Sequence, residues 1–129
     1  MQETSETPLV KLTVAARREN VALVRHVLAG FSDGGAVPSA RMADALVAVS
    51  DAVTNVVESG PPSRAITIVG DLHERALVVE IHDGGHGLHA SPDPTGLGHG
   101  LPLMATLADH LEFRSSGVSG PEVVLTFDF

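Results

Sequence analysis

Two groups of residues in this chain have types and spacing suited to chemistry. Asp51 and Asn55 stand four apart in a long segment of helical apolar periodicity, so their side chains would project together. Further on, an apolar run ends in Asp83-Gly84-Gly85-His86-Gly87. After a loop rich in Gly and Pro, a second cluster, Gly96-Leu97-Gly98-His99-Gly100-Leu101, opens another helical pattern. A carboxylate at a strand end can accept a hydrogen bond from a base amino group. Glycines let backbone N–H groups approach phosphates without an intervening Cβ, and a helix N-terminus adds partial positive charge. Strand, DxGxG, loop, GxGL and helix in this order can cradle a nucleotide, with the Asp51/Asn55 segment as the second wall.

The elements that must position these residues follow from periodicity. Residues 9–15 alternate, with Leu12 and Val14 against Lys11 and Thr13, and predict a first strand. Asn20 is a plausible N-cap for a helix to about Phe31, whose stripe is Val24, Val27, Leu28 and Phe31 and which leaves Arg25 off that stripe. A longer helix is predicted from a cap at Ser39 to Ser59, stopped by Gly60-Pro61-Pro62. Its apolar face holds Met42, Leu46, Val49, Val53, Val56 and Val57. Asp44, Asp51, Asn55 and Glu58 form a polar stripe opposite, flanked by Ala48 and Ala52. Residues 64–70 and 76–82 read as a hairpin across Asp71-Leu72-His73-Glu74. A helix from Leu101 to Asp109 and a last hairpin, 111–115 with 122–129, complete the chain. The order β-α-α-β-β-α-β-β implies an α+β two-layer sandwich: a mostly antiparallel five-stranded sheet with three helices on one face.

Composition narrows the function. The chain has 129 residues, enough for one domain with a real core. Residues 1–8 are read as a flexible leader and 9–129 as the domain. A net charge of −8 argues against direct nucleic-acid or anionic-membrane binding. No apolar run is long enough to span a membrane, and cysteine is absent, which excludes disulfides and thiolate metal sites. A cytoplasmic location fits both.

The motifs together resemble the histidine-kinase-like ATPase superfamily (the Bergerat or GHKL fold), and more closely the small bacterial anti-sigma factor serine kinases. That family's N-box typically reads E-A-V-T-N; here it is Asp51-Ala52-Val53-Thr54-Asn55. Its first glycine box is matched by Asp83, Gly85 and Gly87, and its GxGL by Gly98, Gly100 and Leu101. The resemblance implies a cofactor pair of ATP and Mg²⁺, with Asn55 coordinating the metal. Asp51 stands at the general-base position, and Asp83 recognises the adenine amino group. Gly85, Gly87, Gly98, His99, Gly100 and Leu101 shape the pocket and phosphate loop. It further implies a sigma factor and a STAS-type anti-sigma factor antagonist as partners, a homodimer, regulation of transcription in a stress response, and Arg25 as a partner contact.

The sequence also departs from the family. Asp51 is one methylene shorter than Glu, retracting the carboxylate by roughly 1.5 Å, and misplacement of about 1 Å can cost on the order of 10²-fold in rate. Residues 76–113 contain no Lys or Arg to offset charge on a transferring phosphoryl group. The N-box helix ends in Glu58-Ser59-Gly60, where the family tends to have a basic residue and a His. Gly120-Pro121 replaces a frequent Gly-Thr. These features carry an alternative, a catalytically weak binding module of the same fold acting by partner switching. A more remote one is a metal-dependent hydrolase built on His82, His86, His89 and His99, which are expected around the pocket, although their spacing matches no zinc signature.

Overall fold

The computed structural model describes residues 9–30, 37–58, 60, 63–83, 106–116 and 120–129. Their elements run β1 (Val10–Ala15), α1 (Asn20–Gly30), α2 (Ser39–Glu58), β2 (Ala65–His73), β3 (Ala76–Asp83), β4 (His110–Ser116) and β5 (Gly120–Asp128). The five strands form one sheet in the order β1-β2-β3-β5-β4. Each neighbouring pair is antiparallel. The α+β sandwich expected from the sequence is therefore observed, with two helices among the described elements. Of the third predicted helix, 101–109, residues 106–109 are described: Thr106 and Leu107 are helical, and Ala108 and Asp109 are not; residues 101–105 lie outside the described residues, as does the leader 1–8.

Strand alternation sorts the sheet into two faces. Ile66 and Ile68 on β2, Leu77, Val79 and Ile81 on β3, and Val123, Leu125 and Phe127 on β5 are buried together. They form one core with Val24 and Leu28 of α1 and with Met42, Ala45, Ala48, Val49, Ala52, Val53 and Val56 of α2. Burying each large apolar side chain is worth about 1.5–3 kcal/mol, so this inner face is the main source of cohesion. Val24, Val27 and Leu28 lie against Val10, Leu12 and Ile68, seating α1 over the β1–β2 edge. On the other face Thr13 and Thr67, paired in register, join their hydroxyls at 2.9 Å.

Three local expectations are corrected. The β2 strand does not stop at Gly70 but runs to His73. Leu72 pairs with Leu77 and His73 with Ala76, leaving Glu74-Arg75 as a two-residue turn. Glu74 takes the positive φ (55°) that such a turn demands; the pairing of half-buried Leu72 extends the ladder past a segment that reads as polar. Ser39 is the first helical residue of α2 and not its cap, because the first helical bond runs from the Met42 N–H to the Pro38 carbonyl, 2.9 Å. Asn20 begins α1, and its side-chain amide donates backwards to the Ala15 carbonyl at 2.8 Å, tying the helix start to the end of β1.

The buried face of α2 is also wider than its valine stripe. Ala45, Ala48 and Ala52 are completely buried, whereas Leu46 and Val57 lie half-buried at its margins. Small side chains there let the helix backbone approach the sheet. The N-terminal end of α2 is pinned separately. Arg41 pairs with Asp44 and, at 2.6 Å, with Asp109, while the Asp109 carboxylate accepts the Asp128 N–H at 2.7 Å.

Ala48→Leu and Ala52→Leu should each destabilise the fold by about 1–3 kcal/mol through overpacking. Urea unfolding should show a lower midpoint at unchanged slope, while the exposed control Val47→Ala stays within about 0.5 kcal/mol.

Candidate functional site

Asp83 is the last residue of β3 and shares the inward phase of Leu77, Val79 and Ile81, so its carboxylate points into the layer between sheet and helices. It is fully buried, with 0% exposure. A carboxylate there requires a partner, and Arg64 supplies one: its Nη1 lies 2.7 Å from Asp83 Oδ2, with the arginine side chain only 8% exposed. The same guanidinium donates through Nη2 to the carbonyl of Val56 in the last turn of α2. It also packs over Gly60, where a Cβ would sit 2.9 Å from Cζ, Nε and Nη2. One arginine thus ties the end of α2, the approach to β2 and the end of β3 together.

Arg64 is the site residue that sequence reading missed. It lies outside 76–113, the stretch that lacks cations, and reads as an ordinary strand opener. Only the β2–β3 register, which sets Ile66 opposite Asp83, brings it alongside the carboxylate. The signal available in sequence was a lone Arg at the opening of a strand whose hairpin partner ends in Asp.

The second wall is α2. Asp51 and Asn55 are both half-buried and one helical turn apart, and Asp51 Oδ2 is closed off from solvent. Asn55 immediately precedes Val56, whose carbonyl Arg64 holds, so the N-box end of α2 and the buried Asp83 meet at one guanidinium. The structure therefore brings Asp51, Asn55 and Asp83 to the same end of the sandwich. Gly85, Gly87, Gly98, His99, Gly100 and Leu101 lie outside the described residues. Arg25 is exposed on α1, away from that helix's buried Val24 and Leu28.

His82 does not face the pocket, contrary to expectation. It neighbours Asp83 on β3 and so points to the opposite face of the sheet. There its Nε2 lies 3.0 Å from Glu80 Oε1 and its Nδ1 lies 2.9 Å from Glu122 Oε1. Arg114 in turn bonds Glu122 at 3.3 Å. His86, His89 and His99 lie outside the described residues. Among the described residues no group of His, Asp or Glu side chains is arranged to hold a metal ion, and no helix is long and apolar enough to cross a membrane.

Comparison with known proteins places the chain in a family. Residues 14–127 match the histidine kinase-like ATPase domain family, and the chain belongs to it. An anti-sigma F factor of Clostridium acetobutylicum is 25% identical over 93% of both chains. Anti-sigma F factors of Thermoanaerobacter sp. and Thermoanaerobacter pseudethanolicus are each 26% identical over the same share. Among solved structures, a Mycobacterium tuberculosis protein containing RsbU and RsbW domains superposes with a TM-score of 0.69 at 20% identity, over 92% of this chain and 32% of that one. The chain spans about a third of that structure, and the likeness establishes the shared fold.

The outer-face network yields a pH dependence. The hydrogen bond to Glu80 is the main influence raising the His82 pKa above its ordinary 6.5, and the same bond lowers Glu80 below its ordinary 4.5. The His82 contribution is complete below 6.5 and disappears as pH rises through the higher folded value. The Glu80 contribution is complete above 4.5 and disappears as pH falls through the lower folded value. Wild type should therefore exceed His82→Gln most between 4.5 and 6.5, by up to about 1 kcal/mol. Urea midpoints should converge as pH rises through the raised folded-state value of His82.

Proposed function

We propose that this protein is an ATP-binding anti-sigma factor with serine kinase activity toward an anti-sigma factor antagonist, so that sigma-factor sequestration is set by the antagonist's phosphorylation state. The observation that carries the reading is the Arg64 guanidinium bridging the buried Asp83 at the end of β3 and the carbonyl of Val56 on α2, the residue after Asn55. Membership of the histidine kinase-like ATPase family supports reading this as a nucleotide site, and the anti-sigma F factor relatives, matched over 93% of their length, support a sigma factor as partner.

The donor set fits the ligands. The Asn55 side-chain carbonyl is a hard oxygen donor of the kind Mg²⁺ takes, and it would hold the ion. Bound there, Mg²⁺ would offset charge on the nucleotide's phosphates. Asp83 would receive the adenine amino group. Gly85, Gly87, Gly98, His99, Gly100 and Leu101 would form the pocket and phosphate loop. Asp51 would accept the proton of the antagonist's serine hydroxyl as that oxygen bonds to the γ-phosphorus, the bond to the β-phosphate oxygen breaks and ADP leaves. Exposed Arg25 on α1 would contact the sigma factor or a STAS-type antagonist, and the active species would be a homodimer.

A second reading has its own observation. Asp51 is shorter than Glu by a methylene, and α2 is seated against the sheet by completely buried alanines, which leave it little room to advance. Binding would then persist with slow transfer, and the protein would act chiefly by partner exchange.

Millimolar Mg-ATP should raise the melting temperature, by about 2.7 kcal/mol of added stability at 100 times Kd. Absence of any shift would remove the nucleotide reading. Asn55→Ala should abolish the Mg²⁺ requirement together with most of the shift. Asp51→Glu should raise phosphorylation of a cognate antagonist by roughly ten-fold or more if the retracted carboxylate limits transfer. Equal rates would assign the wild-type carboxylate full competence.

A further inference from the structure

We propose that Arg64 is a positioning residue for base recognition, holding the Asp83 carboxylate in the orientation that receives the amino group of a purine. The assignment rests on the nucleotide reading above and extends it to a residue outside the motifs. Asp83 is fully buried, and the Arg64 guanidinium bonds its Oδ2 at 2.7 Å, which constrains the plane of the carboxylate.

Arg64 is itself held at several points. Nη2 is on the Val56 carbonyl and the guanidinium lies over Gly60. The Arg64 carbonyl accepts the Ala16 N–H at 2.8 Å, fixing the backbone that carries it. Swinging the guanidinium would break the bond to the end of α2 as well as the ion pair. A planar fork can serve a carboxylate and a carbonyl at once; an ammonium on a flexible stem offers no fixed angle between its bonds. The close contact over Gly60 works because that residue lacks a Cβ. Charge alone is therefore insufficient, and the arrangement needs the arginine shape and the neighbouring glycine.

A site built to bond a substrate amino group rejects the analogue that lacks it, provided its own acceptor is held in place. Arg64 supplies that holding, so its loss should weaken discrimination at the base more than binding of the phosphates.

The test compares binding of Mg-ATP and of magnesium purine riboside triphosphate, which has hydrogen in place of the 6-amino group, by calorimetry. The proteins are wild type, Arg64→Lys, Arg64→Met and Gly60→Ala, each with a melting curve. Wild type should prefer ATP by roughly ten-fold or more, as expected for a hydrogen bond to a charged group. Arg64→Lys and Arg64→Met should bring the ratio to within about two-fold of unity, with affinity for the analogue little changed. Gly60→Ala, which keeps the charge but displaces the guanidinium, should fall between and serves if Arg64→Met fails to fold. A lowered melting temperature with the wild-type ratio intact would overturn the assignment, leaving Arg64 a structural tie. Tighter ATP binding in the Arg64 variants would also overturn it, making Arg64 a competitor of the base. If wild type binds neither nucleotide, the functional reading falls and the assignment with it. Wild-type binding with an unaltered ratio in the variants removes the assignment alone.

Discussion

The ion pair between Arg64 and Asp83 is the constraint on which the candidate site depends. A carboxylate with no solvent exposure sits at the end of the central strand β3, where the inward phase of the strand leaves it no other direction. Its burial is tolerable because a guanidinium arrives from the start of the hairpin-mate strand and is anchored on the last turn of α2. Breaking such a pair by deleting one partner costs about 3–5 kcal/mol, because the remaining charge stays buried. The pair is consequently less a source of net stability than a device of geometry. It fixes the separation between the wall that carries Asn55 and the wall that carries Asp83.

The α2 helix bears two demands at once. Its wide apolar face, floored by alanines, sits against the sheet, and its polar stripe presents Asp51 and Asn55 at the edge of the same contact. A change in core packing would therefore move the polar residues with the helix backbone. At the opposite end Arg41, Asp44, Asp109 and the Asp128 N–H form a second clamp, so α2 is held at both termini and seated along its middle. That rigidity suits a site in which displacements of about 1 Å alter rates, and it gives the short Asp51 side chain its significance.

The two faces of the sheet divide the ionisable groups. Adjacent residues on β3 are sent to opposite destinations, Asp83 toward the helices and His82 toward Glu80 and Glu122 on the outer face. Four histidines between 82 and 99 read as one cluster in sequence, yet strand geometry removes the first of them to a surface network that includes Arg114. Proximity along the chain is a poor guide to proximity in a sheet because the side-chain period is two.

Much was legible from pattern. The alternation of β1, β3 and β5, the 3.6-residue apolar period of α1 and α2, and the order of DAVTN, DxGxG and GxGL together specified an α+β sandwich and the candidate residues Asp51, Asn55 and Asp83. These are local signals, carried by neighbours that repeat at a fixed period. The tertiary structure alone decided what lies between distant segments. Leu72 pairing with Leu77 moved the hairpin turn to Glu74-Arg75, and close approach to the sheet turned Ala48 and Ala52 into core. Antiparallel register brought Arg64 to Asp83 across a separation of 19 residues. Register and burial are set by the sum of contacts over the whole sheet, and no window of sequence contains that sum.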